Sequence, residues 1–453
     1  MKRYVAFVLS CMIPIASLGD EADMFLRRVI EAYRLEPYKP PQRVFGAKER
    51  LGQALFFDPI VSGPRRISCA TCHVRSKGAG DGLPVAVALG GGEGVGQERV
   101  KNIDAFLIPR NAMPFFNRGS EDFVAFFWDG RVQRSQTGRI ESPLGEYLPS
   151  GFDSLLAVAV AFPLAEQDEM LGRSYERKGS ASTFHQELVT DDVDPDNYQE
   201  RARRVFPKVI RRLTLAGPRE EQSMRDNYVR LFRAAYPGTP VEKLGMAELG
   251  NALAAYISIA FDLRPAPWDK YLAGEIRALT SAQKRGALTF FGKGRCAVCH
   301  SGKQFSDFQF HGLAVPQLGV GKHGAHVDYG RAGATSRGED RFRFRTPLLR
   351  NASKTGPWGH NGSFTDLKSV ITHHYNPVPA LWAAQQKFPE EAGRAGRLLG
   401  FRSPILSEMD PLSSSDVEEV IAFLSALNSE TVMSDKEALP RSVPSGMNQF
   451  ILK

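Results

Sequence analysis

Apolar residues recur at helical spacing in several separate stretches. Val417, Val420, Ile421, Leu424 and Leu427 fall on one face of a helix. Ser415, followed three residues later by Glu418, reads as the capping box that starts it. Thr280 and Gln283 make a similar start to a segment that ends Gly286-Ala-Leu-Thr-Phe290-Phe291. A near copy, Gly52-Gln-Ala-Leu-Phe56-Phe57, lies far upstream. Both read as the ends of amphipathic helices that feed a loop. The Pro-rich turn Arg264-Pro-Ala-Pro-Trp268 separates the copies and marks a domain boundary. The pattern predicts a mainly α protein of two domains in tandem, a number that 453 residues suit. With Gly 42 and Pro 29, many loops between short helices are expected rather than a long bundle.

The N-terminus departs from this amphipathic pattern. Lys2 and Arg3 precede a short apolar stretch from Tyr4 to Leu18, and small residues Ser17 and Gly19 stand before Asp20. This is the layout of a cleaved export signal, residues 1–19, too short to span a membrane comfortably. Ser10-Cys11 offers a weaker lipoprotein reading. No other segment is long and apolar enough to span a membrane, so an exported, periplasmic, soluble protein is expected. The formal charge of +8 suits an acidic protein partner or simple solubility, and export argues against nucleic acid. The basic stretch Arg201 to Arg212, with Arg203, Arg204, Lys208 and Arg211 between, reads as a solvated helix face.

Cysteine placement carries the chemistry. Cys11 leaves with the signal, and the other four form two close pairs, Cys69-Ala-Thr-Cys72-His73 and Cys296-Ala-Val-Cys299-His300. C-x-x-C-H is the attachment signature of c-type haem. Two thiols on one turn reach the two vinyl groups of a porphyrin, and the next residue offers its imidazole to the iron. Zinc would need a fourth ligand and gives no reason for the histidine to follow immediately. A thioredoxin-like pair would need a βαβ setting, which the sequence lacks. Two covalent haems are expected, one per domain: residues 20–264 with the first, 265–430 with the second, and a tail 431–453. A haem crevice closed by a first and a last helix is the cytochrome c plan.

From about Leu51 to about Leu427 the chain resembles the bacterial di-haem cytochrome c peroxidases, including their MauG branch. The resemblance is carried by Leu51-Gly-Gln-Ala-Leu-Phe-Phe-Asp58, Ser68-Cys-Ala-Thr-Cys-His73, Pro109-Arg110-Asn111-Ala-Met-Pro114 and Phe127-Trp128-Asp129-Gly130-Arg131. It continues through Phe162-Pro163, Asp168-Glu169-Met170, Phe344-Arg345-Thr346-Pro347, Leu349-Arg350-Asn351 and Thr355-Gly-Pro357-Trp-Gly-His360-Asn-Gly-Ser-Phe364. The resemblance implies a first haem that binds peroxide and a second that stores or passes electrons. It implies that Trp128 relays electrons between them. Glu169, six residues after Pro163, matches the distal acid that moves a proton from one peroxide oxygen to the other. Asn111, Thr355 and Pro357 match the ligands of a calcium ion between the domains, which suits hard oxygen donors.

Three departures matter. The family's usual Gln four residues before Pro163 is Ala159. Many members carry a second histidine on the first haem, eight residues after the position of Asp81; here it is Leu89, so that iron is expected to have an open sixth site. The second haem's distal ligand falls fourteen residues after His360, where the peroxidase branch has Met and the MauG branch Tyr; here it is His374, with Tyr375 next to it as the other candidate. A histidine there would give a lower potential than methionine at similar burial.

The leading functional expectation is a cytochrome-c peroxidase, reducing hydrogen peroxide to water with electrons from a small periplasmic cytochrome c or cupredoxin. The alternatives are a MauG-like enzyme that oxidises residues of a partner protein, and a non-enzymatic electron carrier. The sequence leaves a monomer or a homodimer open.

Overall fold

The structure, a computed structural model, describes residues 18–101, 105–172, 186–194, 196–215, 219–318, 320–322, 327–389 and 392–447. Residues 1–17, which hold most of the expected export signal, lie outside them. No described helix is long and apolar enough to cross a membrane.

The architecture is mainly α, and its two halves repeat one device. In the first, the helix Ala47–Phe57 crosses the helix Met246–Ala260. In the second, Ser281–Phe291 crosses Ser414–Ser425. The glycine of each sequence repeat sits at its crossing. A Cβ on Gly52 would lie 1.9 Å from the carbonyl oxygen of Ala252, and one on Gly286 would lie 1.8 Å from that of Glu419. Only a residue without a side chain lets the backbones approach so closely. The repeated Phe pairs fill the two cores beside these contacts: Phe56 and Phe57 pack near Tyr256, and Phe290 and Phe291 near Phe423. Strands are few and short. Ala125–Phe126, Val132–Arg134 and Ile140–Glu141 form an antiparallel ribbon with Phe126 opposite Val132, and Phe310–His311 pairs with Phe344–Arg345.

Sequence expectations shift in three places. The helix Ser414–Ser425 is capped by Ser413, whose hydroxyl accepts from the Asp416 N–H while Asp416 reaches back. The capping box is therefore two residues before the expected Ser415 and Glu418; several Ser and acidic residues in a row allow more than one register. The expected spans 20–264 and 265–430 are also amended at both ends of the chain. The helix Leu18–Tyr33 places Leu26 in the second core, and Asp23 pairs there with the buried Lys284. Met433, Ala438 and Val443 of the tail return to the first core. Finally, the basic stretch is not one solvated face. Arg203 and Arg211 are exposed, but Arg201 and Arg212 are buried. Arg201 donates to the carbonyl of Ala165, and Arg212 to those of Ile60 and Ser62. A charge on the inner face persists because carbonyls and carboxylates meet it.

Candidate active site

Each attachment pentapeptide sits on a single tight turn just after the repeat helix. Cys69–Cys72 is one helical turn capped by Ser68, and Cys296–Val298 is its 3-10 counterpart. The imidazoles that follow are oriented alike. His73 Nδ1 lies 3.1 Å from the carbonyl of Ala79, and His300 Nδ1 lies 3.1 Å from that of Phe305. As donors to these carbonyls, both rings would carry the proton on Nδ1 and present Nε2 as the nitrogen for a metal, with the Met113 backbone also close to the His73 ring. Desolvation pushes the Cys69 and Cys72 thiols up to about 12 and Cys296 up to about 11. These thiols are half-buried against the apolar cores, suited to covalent capture of an apolar ring.

The second site tests whether haem fits. His374 faces His300 with ring centroids 6.5 Å apart and planes at 60°. A haem iron would take one imidazole nitrogen from each side, and a gap of this size would leave room for it. His374 Nδ1 lies 2.7 Å from the carbonyl of Val370, one turn back on its own helix, so its Nε2 is likewise left free. The cavity between them is walled by apolar side chains, among them Phe290, Leu398, Val420 and Leu424, with Cys296 and Cys299 on its edge. The residues present therefore fit a covalent haem held between His300 and His374. Neighbouring candidates are engaged elsewhere. Tyr375 donates its hydroxyl to the carbonyl of Gly294, 3.1 Å away, and buried His373 lies 3.0 Å from the carbonyl of Leu313.

The first site differs on its distal side. Leu89 is buried in the same apolar cluster as Ala159 and Met170, with Cys69 and Cys72 packed against it. Glu169 lies on the short π-helical turn Gln167–Leu171. Its charge bears on both Cys69 and Cys72, so it faces the attachment turn. Desolvation, then the Glu166 carboxylate, raise Glu169 to about 7, while Arg131 and Lys322 oppose the rise. Among the described residues, no histidine but His73 lies between Gly52 and Leu263.

Trp128 and the expected calcium ligands converge between the sites. Trp128 Nε1 donates to the carbonyl of Asn111, 3.0 Å away. The Asn111 side chain donates to the carbonyl of Leu83, and its backbone N–H to that of His360. Asn111 thus ties the loop after the first attachment turn to the second half of the chain. Asn111, Thr355, Pro357, Trp128 and His360 all line the second cavity. The calcium set expected of Asn111, Thr355 and Pro357 is a side-chain amide oxygen and backbone carbonyls.

Several charged contacts could not be read from spacing. Arg110 is buried between Asp129 at 2.6 Å and Asp328 at 2.7 and 2.8 Å, one partner from each half. Arg131 lies 3.6 Å from Glu166, and Lys322 lies 3.7 Å from Asp129. Arg110 and Arg131 stand in the motifs that carry the resemblance, but their partners are distant in sequence, and spacing alone cannot pair them. Cys299, Asp307 and His311 also cluster, yet Cys299 belongs to the attachment turn.

The di-haem cytochrome c peroxidase family model matches residues 46–277. The chain is 37% identical over 329 residues to the methylamine utilization protein MauG of Methylophilus methylotrophus, covering 72% of each. It is 26% identical to the cytochrome c551 peroxidase of Pseudomonas aeruginosa, covering 96% of this chain and 94% of that one. The crystal structure of a MauG-like protein associated with microbial copper homeostasis shares the fold, with a TM-score of 0.58 at 21% identity, covering 90% of this chain and 96% of that one. A family match over half the chain, two haem-attachment turns and a cavity flanked by facing histidines agree: the chain belongs to the di-haem cytochrome c peroxidase family.

Proposed function

We propose that this chain is an exported, periplasmic di-haem peroxidase that reduces hydrogen peroxide to water, taking two electrons and two protons per peroxide from a small cytochrome c or cupredoxin and solvent. The observation that carries the reading is the distal side of the first site, where a carboxyl raised to about 7 faces the attachment turn and a buried leucine stands where many relatives place a histidine. Haem bound at Cys69, Cys72 and His73 would supply the metal centre for oxygen–oxygen cleavage. The chain's residues do the rest. Leu89 leaves the distal face without a competing ligand. Glu169 takes the proton from one peroxide oxygen and returns it to the other, which then departs as water. Ala159 offers no proton, so the shuttle rests on Glu169. Cys296, Cys299, His300 and His374 hold the second haem as an electron store, and Trp128 sits on the path between the sites. Asn111, Thr355 and Pro357 hold a calcium ion that fixes this junction.

The test is to mix fully oxidised protein with peroxide. Reaction without prior reduction supports the open first site, and inertness until reduction contradicts it. A second reading, oxidation of residues on a docked protein, is supported by the presence of MauG proteins beside cytochrome c peroxidases among the relatives. Sustained peroxide turnover with a reduced small cytochrome separates the two.

A further inference from the structure

Two arginines in the wall between the haem sites have no role in the account above. Arg118 and Arg345 are 3% and 1% exposed, and both line the cavity that holds the second attachment turn. Arg118 Nε donates to the carbonyl of Pro114, and its guanidinium lies over the rings of Phe123 and Phe126. Its Nη1 is buried with no partner at all. Arg345 donates to the carbonyls of Phe127 and Thr346, and its Nη2 meets only the sulfur of Met113, at 3.6 Å. Among the described residues, neither forms an ion pair with a carboxylate at bonding distance. They also stand close enough to repel: burial, then the Arg345 charge, push Arg118 well below the ordinary guanidinium range, and burial takes Arg345 to about 10 against the opposing charge of Asp307. Other deeply buried arginines have every side a partner can reach engaged, Arg110 by two aspartates, Arg350 by Asp269 and Arg99 by three backbone carbonyls.

Two like charges in an apolar wall are unfavourable unless an anion meets them. A c-type haem brings two carboxylates of its own, the propionates, and these must be neutralised where the ring is buried. The same cavity is lined by Cys296 and Cys299, which would attach the ring, and by His300 and His374, which would hold its iron.

We propose that Arg118 and Arg345 form a cationic clamp for a propionate of the second haem, with the unpartnered Nη1 of Arg118 as its free donor. The proposal rests on the two-haem reading and assigns these residues a positioning and electrostatic role. Arginine suits it because its planar fork matches a carboxylate. A positive pair at this place favours the electron-rich form of the haem beside it.

Spectroelectrochemical titration of the two-haem protein, following the low-spin second haem, tests this. Arg118→Gln should lower that haem's midpoint potential, and Arg345→Gln should lower it in the same direction. Arg118→Lys keeps the charge and should stay close to wild type. The clamp is overturned if Arg118→Gln titrates like wild type, if only the first haem moves, or if Arg118→Lys is displaced as far as Arg118→Gln. Should Arg118→Gln fail to fold, Arg345→Gln and Arg118→Lys decide the question by the same criteria. A wild-type protein without a second covalent haem would instead overturn the two-haem reading, and shows as a missing redox wave before any variant is made.

Discussion

Replacing Glu169 with Gln removes the proton carrier while leaving a side chain of nearly the same shape. Its ordinary value of 4.5 is raised to about 7 by desolvation and by Glu166. The carboxylate that accepts the first proton is therefore about one half of the population at pH 7, about one tenth at pH 6 and about one hundredth at pH 5. Peroxide cleavage by the wild type should climb about tenfold per pH unit below 7 and level off above about 8. One acid–base group contributes about 10²–10⁴-fold, and Ala159 offers no substitute. Glu169→Gln should be slower by that factor above pH 8 and should lose the limb. The same shift has a stability consequence. The folded state holds the proton more tightly than the unfolded chain, so this group's destabilising contribution grows as pH rises from its ordinary value through about 7. The Gln variant should therefore unfold at a higher temperature than wild type near pH 8, with the gap closing near pH 4. Stopped-flow mixing of oxidised protein with peroxide across this range reads the rates, and thermal unfolding at the two ends reads stability. A Gln variant that cleaves peroxide at the wild-type rate, or that keeps the acidic limb, would refute the assignment.

Other outcomes follow from single contacts. Glu166→Gln should move the acidic limb to lower pH, since its charge is the second cause of the Glu169 shift; pH-rate profiles of the two proteins compare this directly. His374→Ala should convert the second haem from low to high spin and leave the first unchanged, while Tyr375→Phe should do neither, as electron paramagnetic resonance will show. Trp128→Phe should leave the first encounter with peroxide intact and slow the later delivery of electrons from the second haem. Gly286→Ala should destabilise the second domain by about 1–3 kcal/mol in denaturant titrations, because its added carbon meets the Glu419 carbonyl at 1.8 Å.

The two attachment turns and the repeated helix ends were legible because each is a local requirement: two thiols and a histidine on one turn, and a glycine where backbones touch. The junction motifs were legible through resemblance, and the structure brings Asn111, Trp128, Thr355, Pro357 and His360 to one wall. What the sequence could not give depends on contacts between distant segments. The first helix crosses to the second core and the tail returns to the first, since an amphipathic helix does not encode which core it covers. His374 and Tyr375 are adjacent on one helix, and only the fold shows which ring faces His300. Arg201 and Arg212 read as solvated charge until the carbonyls that meet them are seen. Arg118 and Arg345 are separated by about half of the chain, so the pair they form is invisible in composition or spacing.

The central claim is peroxide reduction by a two-haem protein, and steady-state turnover with a reduced small cytochrome c tests it most directly. Protein shown by mass to carry both haems should consume two equivalents of reduced cytochrome per peroxide, at a rate that falls with Glu169→Gln. Cytochrome left reduced in the presence of peroxide and of fully loaded protein would contradict the account.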